Sequence, residues 1–346
     1  MKVLIIGGTG LISTAIVKQL VERGDAVTIY NRGRTPKRIP SGVEALTGDR
    51  SQYARFEEQL QGQNRRFDAV IDMMAFQPED ARSLLRAVRG RARQIVVCST
   101  ACVYGGPMTR LPADDAEPHR PVTDYGRNKS EIEAILLNAD GQDGLRTTVL
   151  RPSFTTGEGA TASGVLFDDT TVERIRQGRP VIVHGDGRTR WAVAHVSDVA
   201  RGFVNALENP KAFGQAYHLT GHEHTDWDGV FAALGEAAGR APELVHIPTE
   251  WLYGVAPRRS VGVKFIYQYD SIYDNSKAER DLGFRTTVSM VETFRRQIRW
   301  MEGSGKIQPI EQDRFEDVMI DCHAKGRIPS PDGWIDFNPW HNQATN

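Results

Sequence analysis

The sequence predicts an α/β fold, a doubly wound parallel sheet followed by a smaller α+β region. Three observations predict it. Short apolar runs alternate with amphipathic stretches through roughly the first 150 residues, the pattern of strands joined by crossover helices. The first apolar run turns through glycines straight into an apolar-faced helix. Beyond about residue 155 the alternation loses its regularity.

Taken in order, residues 3–6 read as the first strand and 11–23 as the helix behind it. Residues 26–30 and 43–47 are the second and third strands, the latter ending in Gly48-Asp49-Arg50. A fourth strand at 69–72 leads to a helix from Asp80, and a fifth covers 94–99. Helix is expected over 125–137, where Ile132, Ile135 and Leu136 share a face. Residues 147–150 form the sixth strand, stopped by Arg151-Pro152.

In the second half, helices are expected at 164–177, 199–207, 275–282 and 290–301, with strands at 180–183, 192–196 and 216–219. Ser197-Asp198 marks one helix start, and Thr225-Asp-Trp-Asp228 caps another that ends near Gly239. Residues 302–346 carry a short helical pattern (Phe315, Val318, Met319, Cys322) and a Pro/Gly-rich tail. Its Trp334, Phe337 and Trp340 are expected to anchor it to the body or to a partner subunit.

The 346 residues, 40% of them hydrophobic, allow a substantial core in one large domain or two moderate ones. A formal net charge of −1 provides no global attraction for nucleic acid or an anionic membrane, so neither partner is expected. The Arg-rich stretch 82–93 reads as the solvated face of a helix. Cys98, Cys102 and Cys322 lack regular spacing, which argues against a disulfide framework and fits a reducing cytoplasm. There is no apolar run long enough to span a bilayer and nothing like a targeting signal, so a cytoplasmic location is expected.

Gly7, Gly10 and Ser13 have the spacing of a dinucleotide-binding turn. A pyrophosphate must approach bare backbone N–H groups at a helix N-terminus, which demands the two glycines. The third position needs only a small residue, and Ser13 meets that need. Thr9, Leu11 and Ile12 complete this cradle. The end of the second strand discriminates between the two nicotinamide cofactors. It carries Asn31-Arg32-Gly33-Arg34 and no carboxylate, which leans toward a 2′-phosphate, although Asn31 could also bind a ribose hydroxyl. The cofactor expectation is therefore NAD(P). Asp49 is placed for the adenine amine, with turn chemistry after Gly48 as the equal alternative, and Arg50 follows it. Met73, Met74, Ala75 and Phe76 follow the fourth strand and read as pocket wall.

Ser99-Thr100 ends the fifth strand, and Tyr125 and Lys129 lie four apart on one face of a helix. Together with the glycine turn these residues describe a hydride-transfer enzyme with a phenol as acid/base.

The chain resembles an extended short-chain dehydrogenase/reductase of the NAD-dependent epimerase/dehydratase family. The matching residues are Gly7-Gly-Thr-Gly-Leu-Ile-Ser13, Ser99-Thr-Ala-Cys-Val-Tyr-Gly105, Tyr125-x-x-x-Lys129, Leu150-Arg-Pro152, Gly185-Asp-Gly-Arg-Thr-Arg190, His195-Val-Ser-Asp-Val-Ala200 and Asp274-Asn-Ser-Lys-Ala278 with Leu282-Gly-Phe284. The resemblance implies a Rossmann-like doubly wound parallel sheet with a smaller α+β C-terminal substrate domain. The dinucleotide-binding domain is expected at 1–155, rejoined by segments near 181–219. The substrate domain is expected at 156–300 and a C-terminal extension at 301–346.

By that resemblance Tyr125 is the acid/base and Lys129 lowers its pKa and holds the nicotinamide ribose. Thr100 holds the reacting oxygen. Ser99 and Pro152 line the cofactor, while Cys102, Glu158 and Arg190 face the substrate, Arg190 as the residue that contacts a diphosphate. Two departures stand out. The Asp-Glu pair of hexose 4,6-dehydratases is replaced by Ala101-Cys102. The usual nucleoside-gripping Arg and acid are replaced by Lys264-Phe-Ile-Tyr-Gln-Tyr-Asp270. Arg258 and Arg259 are expected to be solvent-exposed. His222-Glu-His224 lacks a third ligand and reads as a loop, so no metal is expected. His195 reads as a packing residue.

The resulting expectation is a homodimeric NAD(P)-dependent epimerase acting on a sugar, nucleotide-sugar or nucleoside through a keto intermediate. Dehydration through the same intermediate and NADP-dependent ketone reduction are the alternatives. A dinucleotide-bound RNA- or protein-binding module is the non-enzymatic rival.

Overall fold

A computed structural model describes residues 1–34, 39–62, 65–161, 166, 169–329 and 336. In chain order its first half contains β1 (Lys2–Ile6), α1 (Leu11–Glu22), β2 (Ala26–Asn31), β3 (Glu44–Thr47), α2 (Tyr53–Gly62), β4 (Phe67–Asp72), α3 (Pro78–Val88), β5 (Ala92–Cys98), α4 (Asp124–Asn138) and β6 (Arg146–Pro152). β1 is central because it is apolar at every buried position and can be covered on both sides. Its Ile5 lies in register with Ile29 of β2 and Ile71 of β4. Alternation along the strand feeds two cores. Val3 and Ile5 pack with Ile16, Val17 and Leu20 of α1. Leu4 and Ile6 pack with Phe56 of α2, Leu84 of α3, and Ile132 and Leu136 of α4.

The second half contains β7 (Thr155–Thr156), α5 (Thr171–Gln177), β8 (Val181–His184), β9 (Arg190–Trp191), β10 (Ala194–His195), α6 (Val196–Ala206), β11 (Gln215–Leu219), β12 (Thr225–Asp226), α7 (Trp227–Ala238), β13 (Leu244–Ile247), α8 (Thr249–Val255), α9 (Ser276–Leu282), α10 (Met290–Gly303) and α11 (Phe315–Ala324). β11 returns to the main sheet beside β6, giving seven parallel strands in the order β11-β6-β5-β4-β1-β2-β3. The order reverses between β4 and β1, which opens a crevice at the carboxyl ends of the strands. β8 pairs with β13 in a separate sheet, and a third core forms there from Val183, Trp191, Trp227, Phe294, Met301 and Phe315.

Several expectations change. β6 runs through Arg151 and Pro152, because the register with β5 ends at Leu150 and only β11 still pairs there. Of the strand expected at 192–196 only β10 is extended, paired with β7, and β9 just before it pairs with β12. α6 then starts at Val196, capped by the His195 ring, which accepts from the Ser197 N–H, and not at Ser197-Asp198. Arg259 is buried, not solvent-exposed: its guanidinium lies 4.1 Å over the Phe315 ring and 2.6 Å from Asp313. α2 was not anticipated, since it buries only Phe56 and Leu60 and gives a thin periodic signal. Of the helix expected at 164–177, residues 164–165 and 167–168 lie outside the described residues, as do Trp334, Phe337 and Trp340.

Candidate active site

The glycine turn joins β1 to α1 at the crevice. Gly7 and Gly8 adopt φ of +110° and +99°, which side-chain-bearing residues rarely tolerate. Gly10 is the N-cap of α1 and offers no side chain to its first turn, so N–H groups there are left for an external acceptor. Ser13 folds back instead, its Oγ accepting from the Gly10 N–H at 2.9 Å. This bare, positively polarised helix start fits a dinucleotide pyrophosphate. Thr9, Leu11 and Ile12 flank it, and the Met74 side chain closes over Gly7 with buried Ala75 beside it.

At the end of β2, Asn31 serves the backbone. Its Nδ2 donates to the Gly7 carbonyl at 3.3 Å, and its Oδ1 accepts from the Gly33 N–H at 2.8 Å. Asp49 accepts from the Ser51 N–H and hydroxyl at 3.0 and 2.7 Å. Those bonds hold its carboxyl below the usual range, with Arg32 and Arg34 adding to the effect. Arg50 is buried in a structural cluster: it meets Asp72 at 2.5 Å and donates to the Asp80 carbonyl at 2.6 Å. Its side chain is thus engaged away from the role expected for it at the cofactor.

The catalytic candidates converge where β5 ends. Thr100 caps a short turn at Ala101–Val103, its Oγ1 accepting from the Cys102 N–H at 3.2 Å. The first turn of α4 presses on this turn. A Cβ at Gly126 would lie 2.4 Å from the Cys102 carbonyl, so only glycine permits the approach that brings Tyr125 to Thr100. Lys129 is 2% exposed and donates to the Cys98 carbonyl at 2.7 Å. Its ammonium sits 4.9 Å from the Phe76 ring and 5.8 Å from the Tyr125 ring.

Burial pushes the Tyr125 phenol above the ordinary tyrosine range; Cys102 and Cys98 push the same way, and a hydrogen bond with Thr100 opposes them. Burial lowers Lys129, against the pull of Cys98, Asp72, Asp80 and Glu133. The protein's own groups therefore keep Tyr125 a protonated phenol, a proton donor. The Cys102 thiol is pushed up to about 11 by burial and stays protonated at neutral pH.

Ser99 does not turn toward this group. Its hydroxyl donates to Glu133, alternate residues of an extended segment pointing opposite ways. Glu133 in turn holds Arg151 at 2.5 Å, and Arg151 donates to the Tyr104 hydroxyl at 2.6 Å. Glu133 was missed in the sequence; its place one turn beyond Lys129 was the available signal. Pro152 ends β6 beside this floor. Glu158 lies 3.0 Å from His195 Nε2, and that contact holds its carboxyl down at about 2. Arg190 is paired with Asp270 at 3.0 Å. His222 Nε2 lies 2.9 Å from the Thr286 hydroxyl.

A glycine-bearing helix start at the switch point of a parallel sheet, with Thr100, Tyr125 and Lys129 beside it, defines a dinucleotide-dependent oxidoreductase. The chain belongs to the NAD dependent epimerase/dehydratase family, whose model matches residues 3–219. It is an NAD(P)-dependent enzyme of the extended short-chain dehydrogenase/reductase type. It is 28% identical over 252 residues to a 2′-dehydrokanamycin reductase of Streptomyces kanamyceticus, covering 72% of this chain and 70% of that one. It is 28% identical over 334 residues to the chloroplast stem-loop binding protein of 41 kDa b of Arabidopsis thaliana, covering 92% and 84%. The fold is that of UDP-glucose 4-epimerase from Thermotoga maritima, solved with UDP-glucose: TM-score 0.73, 22% identity, 88% and 99% covered.

Proposed function

We propose that this enzyme reduces a ketone on a small polyhydroxylated substrate with NADPH. The observation that carries the reading is the end of β2. Asn31 is bonded to backbone on both sides of its amide, no carboxylate stands there to accept from a ribose hydroxyl, and Arg32 and Arg34 act on Asp49 nearby. That chemistry favours a 2′-phosphate. Tyr125, hydrogen-bonded with Thr100, is placed to give the new alcohol oxygen its proton. The Thr100 hydroxyl orients the ketone oxygen, Tyr125 delivers the proton, and Lys129 steadies the ribose edge. A bound nicotinamide supplies the hydride. Reductases among the relatives, at 28% and 25% identity, agree with this reading.

Epimerisation is the second reading. It draws on Ala101-Cys102, which lacks the acid pair of hexose dehydratases, and on the UDP-glucose 4-epimerases among the relatives, at 29% and 28% identity. Cofactor consumption separates the two: a reductase oxidises one NADPH per product, whereas an epimerase leaves the cofactor pool unchanged. Tyr125→Phe tests both against a stem-loop-binding role. Turnover should fall about 10²–10⁴-fold while dinucleotide binding survives. Unchanged turnover would refute the assignment.

A further inference from the structure

We infer that Asp270 sets the substrate class: it closes the anion-gripping position at Arg190, so the enzyme acts on an alcohol or ketone that carries no diphosphate. This rests on the oxidoreductase reading above. A guanidinium suits phosphate because its planar fork matches two oxygens. At Arg190 one edge of that fork is already taken by a carboxylate. Its Nε and Nη2 donate to Asp270 Oδ2 at 3.1 and 3.0 Å. The Arg190 backbone N–H donates to the other carboxylate oxygen at 2.6 Å, and the Ser271 N–H donates to the Arg190 carbonyl at 2.9 Å. Asp270 thus grips strand and head group together, and swinging it aside breaks backbone bonding as well. β12 also sets Asp226 directly opposite Arg190.

Tyr269, next to Asp270 in the chain, reaches the loop that follows the catalytic turn. The Tyr269 ring leaves no room for a Cβ at Gly106, on the loop that leaves the Ala101–Val103 turn. Arg188, two residues earlier, is likewise paired, with Asp226 at 3.0 Å. Between Pro152 and Glu173 the sequence has no Lys or Arg. An entering diphosphate would meet carboxylate where it needs an open cation. A neutral or amine-bearing substrate would not.

The test is calorimetric titration of the full chain, saturated with NADP+, with UDP and with UDP-glucose. Wild type should bind both weakly. Asp270→Asn and Asp270→Ser should each tighten binding by about tenfold or more. Adding Arg190→Gln to either should abolish the gain. Wild-type binding as tight as that of the Asp270 variants, or no gain in either variant, overturns the inference. NADP+ and NAD+ binding, measured on every sample, report folding; absence of both in wild type would instead remove the oxidoreductase reading beneath it.

Discussion

Replacing Glu133 with Gln removes one charge from a buried pair beneath the catalytic strand end. Glu133 is 1% exposed and Arg151 4%. Carboxylate and guanidinium meet through contacts of 3.0, 3.1 and 2.5 Å, and Ser99 donates to the same carboxylate. Glutamine keeps the shape but loses the charge, and it offers Arg151, which has only donors, a single neutral oxygen. The guanidinium is left buried without a counter-charge. Breaking such a pair from one side costs about 3–5 kcal/mol. With an unfolding entropy of about 2.1 cal/mol/K per residue, roughly 0.7 kcal/mol/K for this chain, Tm should drop about 4–7 °C. Urea denaturation followed by tryptophan fluorescence gives the free energy, and scanning calorimetry the Tm. The double variant Glu133→Leu, Arg151→Met should recover most of the loss, since an apolar pair of similar volume needs no compensation. A cost for Glu133→Gln below about 1 kcal/mol, the range of exposed pairs, refutes the reasoning.

Gly8→Ala should abolish soluble expression or cost at least about 3 kcal/mol, because its Cβ would sit 2.5 Å from Ile29 Cγ2 at φ +99°. Gly24→Ala, with φ +88° and nothing within 4 Å, should cost only about 1–2 kcal/mol of backbone strain in the same denaturation assay. Acid stability follows from His184 and His218, both held down to about 4 by burial. Their folded pKa values are depressed, so between about pH 6.5 and 4 the unfolded chain takes up protons that the folded chain refuses. Stability should fall as pH drops through that window, by about 3 kcal/mol for the two together between pH 6.5 and 5. Denaturation midpoints at several pH values check this, and a His184→Gln profile as steep as wild type would contradict it.

The alternation of apolar runs determined the parallel sheet, because a strand covered on both faces must be apolar throughout, as β1 is. The spacing of Gly7, Gly10 and Ser13 was readable because backbone approach to a phosphate allows few residues there. The pairing of Tyr125 with Lys129 was readable because i, i+4 on a helix is local geometry, whereas Thr100 joined them through the family resemblance and the close approach at Gly126. What the sequence could not show was which partner each polar side chain would choose. Arg50 went to Asp72 and Asp80, Ser99 to Glu133, Glu158 to His195 and Arg190 to Asp270. The last of these partners lies 80 residues away in the chain. Such pairings are decided by tertiary structure alone, because burial and proximity, not chain spacing, determine which charge stands beside which.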